Sequence, residues 1–209
     1  MNLPKLQYIS DGETFREQYE NILSALDGGV QWIQLRWKNA DENNIQKLAE
    51  TIKTTCDIYG AILIINDHPL IAKNIQAHGV HLGLNDMPVE EARKTLSHHQ
   101  WIGGTANTYE DVKQRIKENV TYIGLGPLRF TTTKKKLSPI LGYEGYENIL
   151  KQFPHNKIPI YAIGGITEKD IIPLLKTGIY GIAVSSLINK HSNKSKIIRK
   201  LNSLLYGTT

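Results

Sequence analysis

Eight short apolar runs, each followed by helical periodicity or a polar loop, constrain this chain more than any other feature. They occupy residues 6–10, 32–36, 61–65, 80–82, 101–105, 122–125, 160–163 and 181–184. Between them lie helical patterns, one carried by Phe15, Tyr19, Ile22, Leu23 and Leu26 and others over 89–96, 109–118, 146–153 and 169–175. The run Ala61-Ile62-Leu63-Ile64-Ile65 is apolar at every position, as needed when helices cover one face of a sheet and a barrel interior the other. Eight such units in 209 residues predict an α/β protein, a single (β/α)8 TIM barrel covering 1–209. An open doubly wound sheet gives the same alternation, but the strand count in so short a chain favours closure.

Composition narrows the setting. No apolar run approaches the roughly 20 residues that span a bilayer, so a cytoplasmic protein without a membrane partner is expected. The one cysteine, Cys56, excludes an intrachain disulfide and suits a reducing compartment. It extends the stripe Ile45, Leu48, Ala49, Ile52 and is read as core. The net charge of +5 does not point to nucleic acid, because aromatic and basic residues do not interleave on one element. One part of the excess is Lys134 to Lys136. Another lies in a basic C-terminal helix at about 194–206, whose apolar stripe is Ile197, Ile198, Leu201, Leu204 and Leu205. Thr108-x-x-Asp111 and Thr167-x-x-Asp170 read as capping boxes.

In a parallel barrel the chemistry sits at the carboxyl ends of the strands. Run two ends Gln34-Leu35-Arg36-Trp37-Lys38, where alternation puts Gln34, Arg36 and Lys38 on one face. Charges facing a barrel interior are costly unless a ligand or counter-charge meets them. Run three ends Asn66-Asp67, and Asn85-Asp86 follows run four. Two carboxylates at neighbouring strand ends could share Mg²⁺, a hard cation that keeps waters and bridges to phosphates. His78 and His81 lack further metal ligands and read as satisfied strand histidines. Run six leads through Gly126-Pro127 to Thr131-Thr132-Thr133-Lys134-Lys135-Lys136, a set of hydroxyls, amides and cations suited to phosphate. Gly164-Gly165 after run seven and Ser185 after run eight form a second, amide-rich anion pocket. No Ser-His-Asp set, catalytic cysteine or lone lysine in an apolar strand suggests covalent catalysis.

These residues resemble the thiamine-phosphate synthases, also called thiamine-phosphate pyrophosphorylases. The likeness runs from about Tyr8 to Ile188. It rests on Gln34-x-Arg36-x-Lys38, Asn66-Asp67, Gly79-Val80-His81-Leu82-Gly83 with Asp86, Gly126-Pro127 with Thr131-x-Thr133-Lys134, Ala162-Ile163-Gly164-Gly165-Ile166, and Val184-Ser185. The resemblance implies joining of 4-amino-2-methyl-5-hydroxymethylpyrimidine diphosphate to a thiazole phosphate, with loss of pyrophosphate. It implies that Arg36, Lys38, Asn66 and Lys134 hold the diphosphate, Asp67 and Asp86 the Mg²⁺, and Gln34 the pyrimidine. Thr131, Thr133, Gly165, Val184 and Ser185 would serve the thiazole phosphate. Arg36, Lys38 and Lys134 would also be catalytic, stabilising the leaving group of a dissociative substitution.

Four positions in three stretches depart from the family pattern. Gly103-Gly104-Thr105-Ala106-Asn107 replaces the usual Gly-x-Ser-x-His, His78 stands where Asp is frequent, and Leu84 where Gln is usual. Thr105 keeps a hydroxyl and stays among the substrate-binding residues, whereas Asn107 cannot act as acid or base. Two other readings remain: a thiazole tautomerase of the same fold, which uses a histidine at the place of Asn107, and a non-catalytic binder of phosphate ligands. The expected partners are small-molecule substrates, and a homo-oligomer is left open.

Overall fold

A computed structural model describes residues 3–130 and 139–207. Among them eight parallel strands close into a barrel in sequence order: β1 (Leu6–Ile9), β2 (Trp32–Leu35), β3 (Ile62–Asn66), β4 (Gly79–Leu82), β5 (Trp101–Ala106), β6 (Tyr122–Leu125), β7 (Ile160–Ile163) and β8 (Gly181–Val184). The ring closes where Leu6, Gln7 and Tyr8 of β1 pair with Ile182, Ala183 and Val184 of β8. The expected (β/α)8 barrel is therefore borne out. The helices are α1 (Phe15–Asp27), α2 (Glu42–Tyr59), α3 (Pro69–Asn74), α4 (Val89–Thr95), α5 (Tyr109–Lys117), α6 (Gly142–Leu150), α7 (Ile171–Lys176), α8 (Ser186–Asn189) and α9 (Lys194–Tyr206). A short 3-10 turn, Glu168–Asp170, precedes α7.

Strand alternation divides the core into two. Outward residues such as Ile33, Leu35, Leu63, Ile65, Val80 and Leu82 pack with the inner faces of the helices. Cys56 joins that layer on α2, with its thiol pushed up to about 12 by burial, and an un-ionised thiol fits the core reading. Inward residues Trp32, Ile64, Tyr122 and Tyr161 form a separate cluster with Leu3. Trp32 meets Tyr122 and Tyr161 edge-on at centroid distances of 4.8 and 5.0 Å, a geometry that adds about 1 kcal/mol per pair to area burial.

So large a plug requires small neighbours. A Cβ at Gly103 would lie 2.1 Å from Cζ of Tyr122. Gly103→Ala is therefore expected to lower stability by roughly 3 kcal/mol, the upper range for overpacking, and chemical denaturation checks it. An unchanged denaturation midpoint would mean that Tyr122 yields freely.

The Thr108 box forms as read: the Thr108 hydroxyl accepts from Asp111 N at 3.2 Å, and the Asp111 carboxylate accepts from Thr108 N at 3.0 Å. Several boundaries differ from the periodicity, two of them with a bearing on the site. β2 stops at Leu35, so Arg36 and Lys38 lie beyond the strand. α6 begins at Gly142 rather than near 146, because a tertiary contact of Tyr143, described below, holds a turn with no apolar repeat of its own. Among the described residues no helix is long and apolar enough to cross a membrane.

Candidate active site

One cavity opens at the carboxyl ends of the strands. Its wall includes Gln34, Arg36, Asn66 and Thr105 on one side and Gly164, Gly165, Val184 and Ser185 on the other. All eight were singled out from sequence, and they face one space. Asp67 and Asp86 stand on the adjoining rim rather than in the wall, and Lys38 is exposed in the turn after β2. Thr131, Thr133 and Lys134 lie outside the described residues.

The cavity floor is a polar chain resting on the aromatic plug. Gln34 Nε2 donates to Gln7 Oε1 at 3.3 Å, and Gln7 Nε2 donates to the Tyr122 hydroxyl at 3.3 Å. Tyr122 lies 3.1 Å from His81 Nδ1, and His81 Nε2 lies 3.0 Å from Thr105 Oγ1. Burial raises the Tyr122 pKa, so its hydroxyl keeps its proton and can give it to His81 Nδ1. With the Tyr122 proton on that bond, His81 Nε2 would donate to Thr105 and leave the Thr105 O–H for a ligand. His81 is satisfied, as the sequence reading held, and it also lines the cavity. Arg115 of α5 fixes the two strand ends beside it, donating to Thr105 O and to Gly83 O at 3.0 Å each.

At the rim, Asp67 occupies the left-handed region with φ 65°. Its amide donates to His81 O at 2.9 Å. The residue as a whole is exposed, yet its carboxyl is pushed up to about 7. Burial of the carboxyl among the loops and the hydrogen-bonded Asp86 cause the rise, while Arg36 and Asn66 oppose it. Asp86 is fixed in turn by accepting from Gly83 N at 2.5 Å. Burial lowers the Arg36 pKa, opposed by Asp67, Asp11 and Asp86. A paired set of hard carboxylate oxygens beside a cation fits Mg²⁺. Among the described residues no three His, Cys, Asp or Glu side chains form a full cage, so waters or phosphate oxygens would complete the shell.

Opposite lies the glycine turn. Gly164 and Gly165 have φ 86° and 69°, and a Cβ on Gly165 would fall 2.6 Å from Arg129 Cγ. Both positions therefore favour glycine for conformation and for space. Sequence reasoning missed the end of β1, where Ser10 and Asp11 enter the wall. The signal was there: Tyr8-Ile9-Ser10-Asp11 repeats the apolar-then-polar pattern of the other strand ends.

It also missed what the Asp170 carboxylate collects. Besides Thr167 N and Oγ1 at 2.7 Å each, it accepts from Arg129 Nη2 at 2.8 Å and from the Tyr143 hydroxyl. Burial alone would raise this carboxyl, but donation by Arg129, Tyr143 and Thr167 holds it well below the usual range. A depressed folded pKa stabilises above the unfolded value of about 3.9 and ceases to do so as pH falls toward the folded one. Melting temperatures of the wild type should therefore drop as pH falls below about 4. Asp170→Asn, less stable near neutrality, should show a flatter acid limb; parallel limbs would remove Asp170 from the account.

The chain is similar to known proteins along nearly its whole length. Residues 6–188 match the family model described as thiamine monophosphate synthase. The thiamine-phosphate synthase of Flavobacterium johnsoniae is 55% identical over 205 residues, covering 97% of both chains. That of Bacteroides thetaiotaomicron is 46% identical over 198 residues, covering 94% of this chain and 95% of its own. The solved thiamine phosphate pyrophosphorylase from Pyrococcus furiosus superposes with a TM-score of 0.86 at 30% identity, covering 97% of this chain and 96% of that one. On matched length, identity and barrel alike, the chain belongs to the thiamine monophosphate synthase family.

Proposed function

We propose that this enzyme joins a pyrimidinylmethyl diphosphate to a thiazole phosphate at the cavity described, releasing pyrophosphate with the help of Mg²⁺. One observation carries the reading. A rim with a cation and paired carboxylates (Arg36, Asp67, Asp86) and a glycine turn with Ser185 stand on opposite sides of one cavity. Two anionic substrates can thus enter with their reactive ends toward each other. Holding them so converts a bimolecular encounter into an effectively intramolecular one.

The residues divide the work. Gln34 sits 3% exposed on the floor and offers its amide to the pyrimidine ring. Arg36 and Asn66 meet the diphosphate, with Lys38 and Lys134 assigned there by the family pattern. As the C–O bond breaks, negative charge grows on the departing pyrophosphate, and fixed cations stabilise that charge more than the ground state. Mg²⁺ held by Asp67 and Asp86 would supply further charge neutralisation there. The Thr105 hydroxyl, oriented through His81, is left to donate to a ligand oxygen. The thiazole nitrogen captures the pyrimidinylmethyl cation, and no protein base is required. On the far side, Gly165, Val184 and Ser185 receive the thiazole phosphate, a role the family pattern gives to Thr131 and Thr133 as well. The single buried cysteine supports a cytoplasmic setting.

Asn107 weighs against the tautomerase reading. Its side-chain amide donates to Gly126 O and its backbone amide to Asp111 Oδ2 at 2.8 Å, so it serves as a strut where that chemistry needs a proton carrier. Mixing both substrates with Mg²⁺ and following product mass and pyrophosphate tests the proposal. Thiamine phosphate and pyrophosphate should accumulate together, and bound ligands without product would overturn the reading in favour of a binding protein.

A further inference from the structure

The segment leaving β6 and the turn leaving β7 are tied by one side chain in addition to their backbones. Arg129 Nη1 donates to Gly165 O at 2.9 Å, and its guanidinium also bonds both oxygens of Asp170. Tyr143 donates to the same carboxylate. The backbones follow the side chains: Leu128 N donates to Ile163 O at 3.0 Å, and Arg129 N to Gly164 O at 3.3 Å. Asp170 is 3% exposed while Arg129 is 44% exposed, so the anchor is buried and the arm that reaches from it is at the surface.

Holding the Gly165 carbonyl has a consequence for the next amide. In a trans peptide the carbonyl and the following N–H point in opposite directions. A carbonyl fixed toward Arg129 therefore sends the Ile166 N–H the other way. Gly165 and Ile166 both line the cavity, and among the described residues no group accepts from either N–H. An ordered pair of amide donors is what an incoming phosphate requires.

We propose that Arg129 is a positioning residue for the phosphate-bearing second substrate: braced by Asp170 and Tyr143, it sets the direction of the Gly165 peptide and joins the amide pocket to the segment leaving β6. It touches no substrate itself. The inference rests on the synthase reading for the identity of that substrate. A planar fork is required, because one group must reach a carbonyl and both carboxylate oxygens together.

Calorimetric binding of each substrate alone, followed by steady-state kinetics, tests it on the wild type, Arg129→Met, Arg129→Lys and Tyr143→Phe. Arg129→Met should weaken binding of the thiazole phosphate, and raise its KM, by about tenfold. The pyrimidine diphosphate should keep its affinity to within about twofold, even though the melting temperature falls because the buried Asp170 carboxylate loses its cation. Arg129→Lys, which keeps the charge and loses the fork, should recover only part of the loss, and Tyr143→Phe should show a smaller loss of the same kind. Thiazole-phosphate affinity unchanged in folded Arg129→Met would overturn the proposal. So would equal weakening of both substrates, because that is the mark of a general structural role. Wild type that binds the thiazole phosphate in an Arg129-dependent way but forms no product would leave the positioning role standing and refute the synthase reading instead.

Discussion

Replacing Asp67 or Asp86 by asparagine should cut turnover by roughly 100-fold or more, the scale of losing transition-state charge stabilisation around a metal, while leaving the fold intact. Asparagine is the informative substitute at 67. The backbone there is left-handed, at φ 65°, which asparagine tolerates and alanine does not. Burial first, and then the hydrogen-bonded Asp86 carboxyl, push Asp67 up to about 7. An amide in place of either carboxyl removes a charge that this setting disfavours. Thermal melts without Mg²⁺ should therefore show variants at least as stable as the wild type, a combination of lost activity and kept stability that a misfolded protein cannot give. Two variants with full activity would remove Mg²⁺ from these side chains.

Arg36→Met should cost about 3 kcal/mol of barrier, or about 100-fold in rate, by the same logic of a preorganised donor lost from a site of growing charge. The loss should fall on the pyrimidine diphosphate, with lower kcat and higher KM, because Arg36 sits among Asp11, Asp67 and Asp86 on that side. The thiazole-phosphate KM should stay near its wild-type value. This is the reverse of the pattern expected for Arg129→Met, so the pair of variants separates the two halves of the cavity. A kcat/KM within about threefold of wild type would show that Arg36 is not the cation facing the leaving group.

The barrel was legible because its strands are short, apolar and evenly spaced, and because inward and outward faces are both buried. Trp32 and Ile33 illustrate this, one joining the interior plug and the other the helix layer. Reading strand ends then collected Gln34, Arg36, Asn66, Thr105, Gly165, Val184 and Ser185, since a parallel barrel delivers all its carboxyl ends to one side. What stayed hidden depends on pairs far apart in the chain. Arg129 and Asp170 are separated by 41 positions and Tyr143 and Asp170 by 27. Thr167-x-x-Asp170 was read as a local capping box, but nothing local announces that Asp170 also receives an arginine and a tyrosine. The chain Gln7–Tyr122–His81 was invisible for the same reason: each member alone is an ordinary strand residue, and only closure of the ring brings them to hydrogen-bonding distance.

Tyr122 carries one more implication. Its ring meets Trp32 and Tyr161 edge-on, whereas its oxygen lies 3.1 Å from His81 Nδ1. The keel of the molecule and the ceiling of its foundation thus meet in one side chain. Above that level, loops can be exchanged and ligand preference can drift without disturbing the ballast below. A lineage built on this plan is free to remodel its mouth as long as that tyrosine keeps both its ring and its hydroxyl.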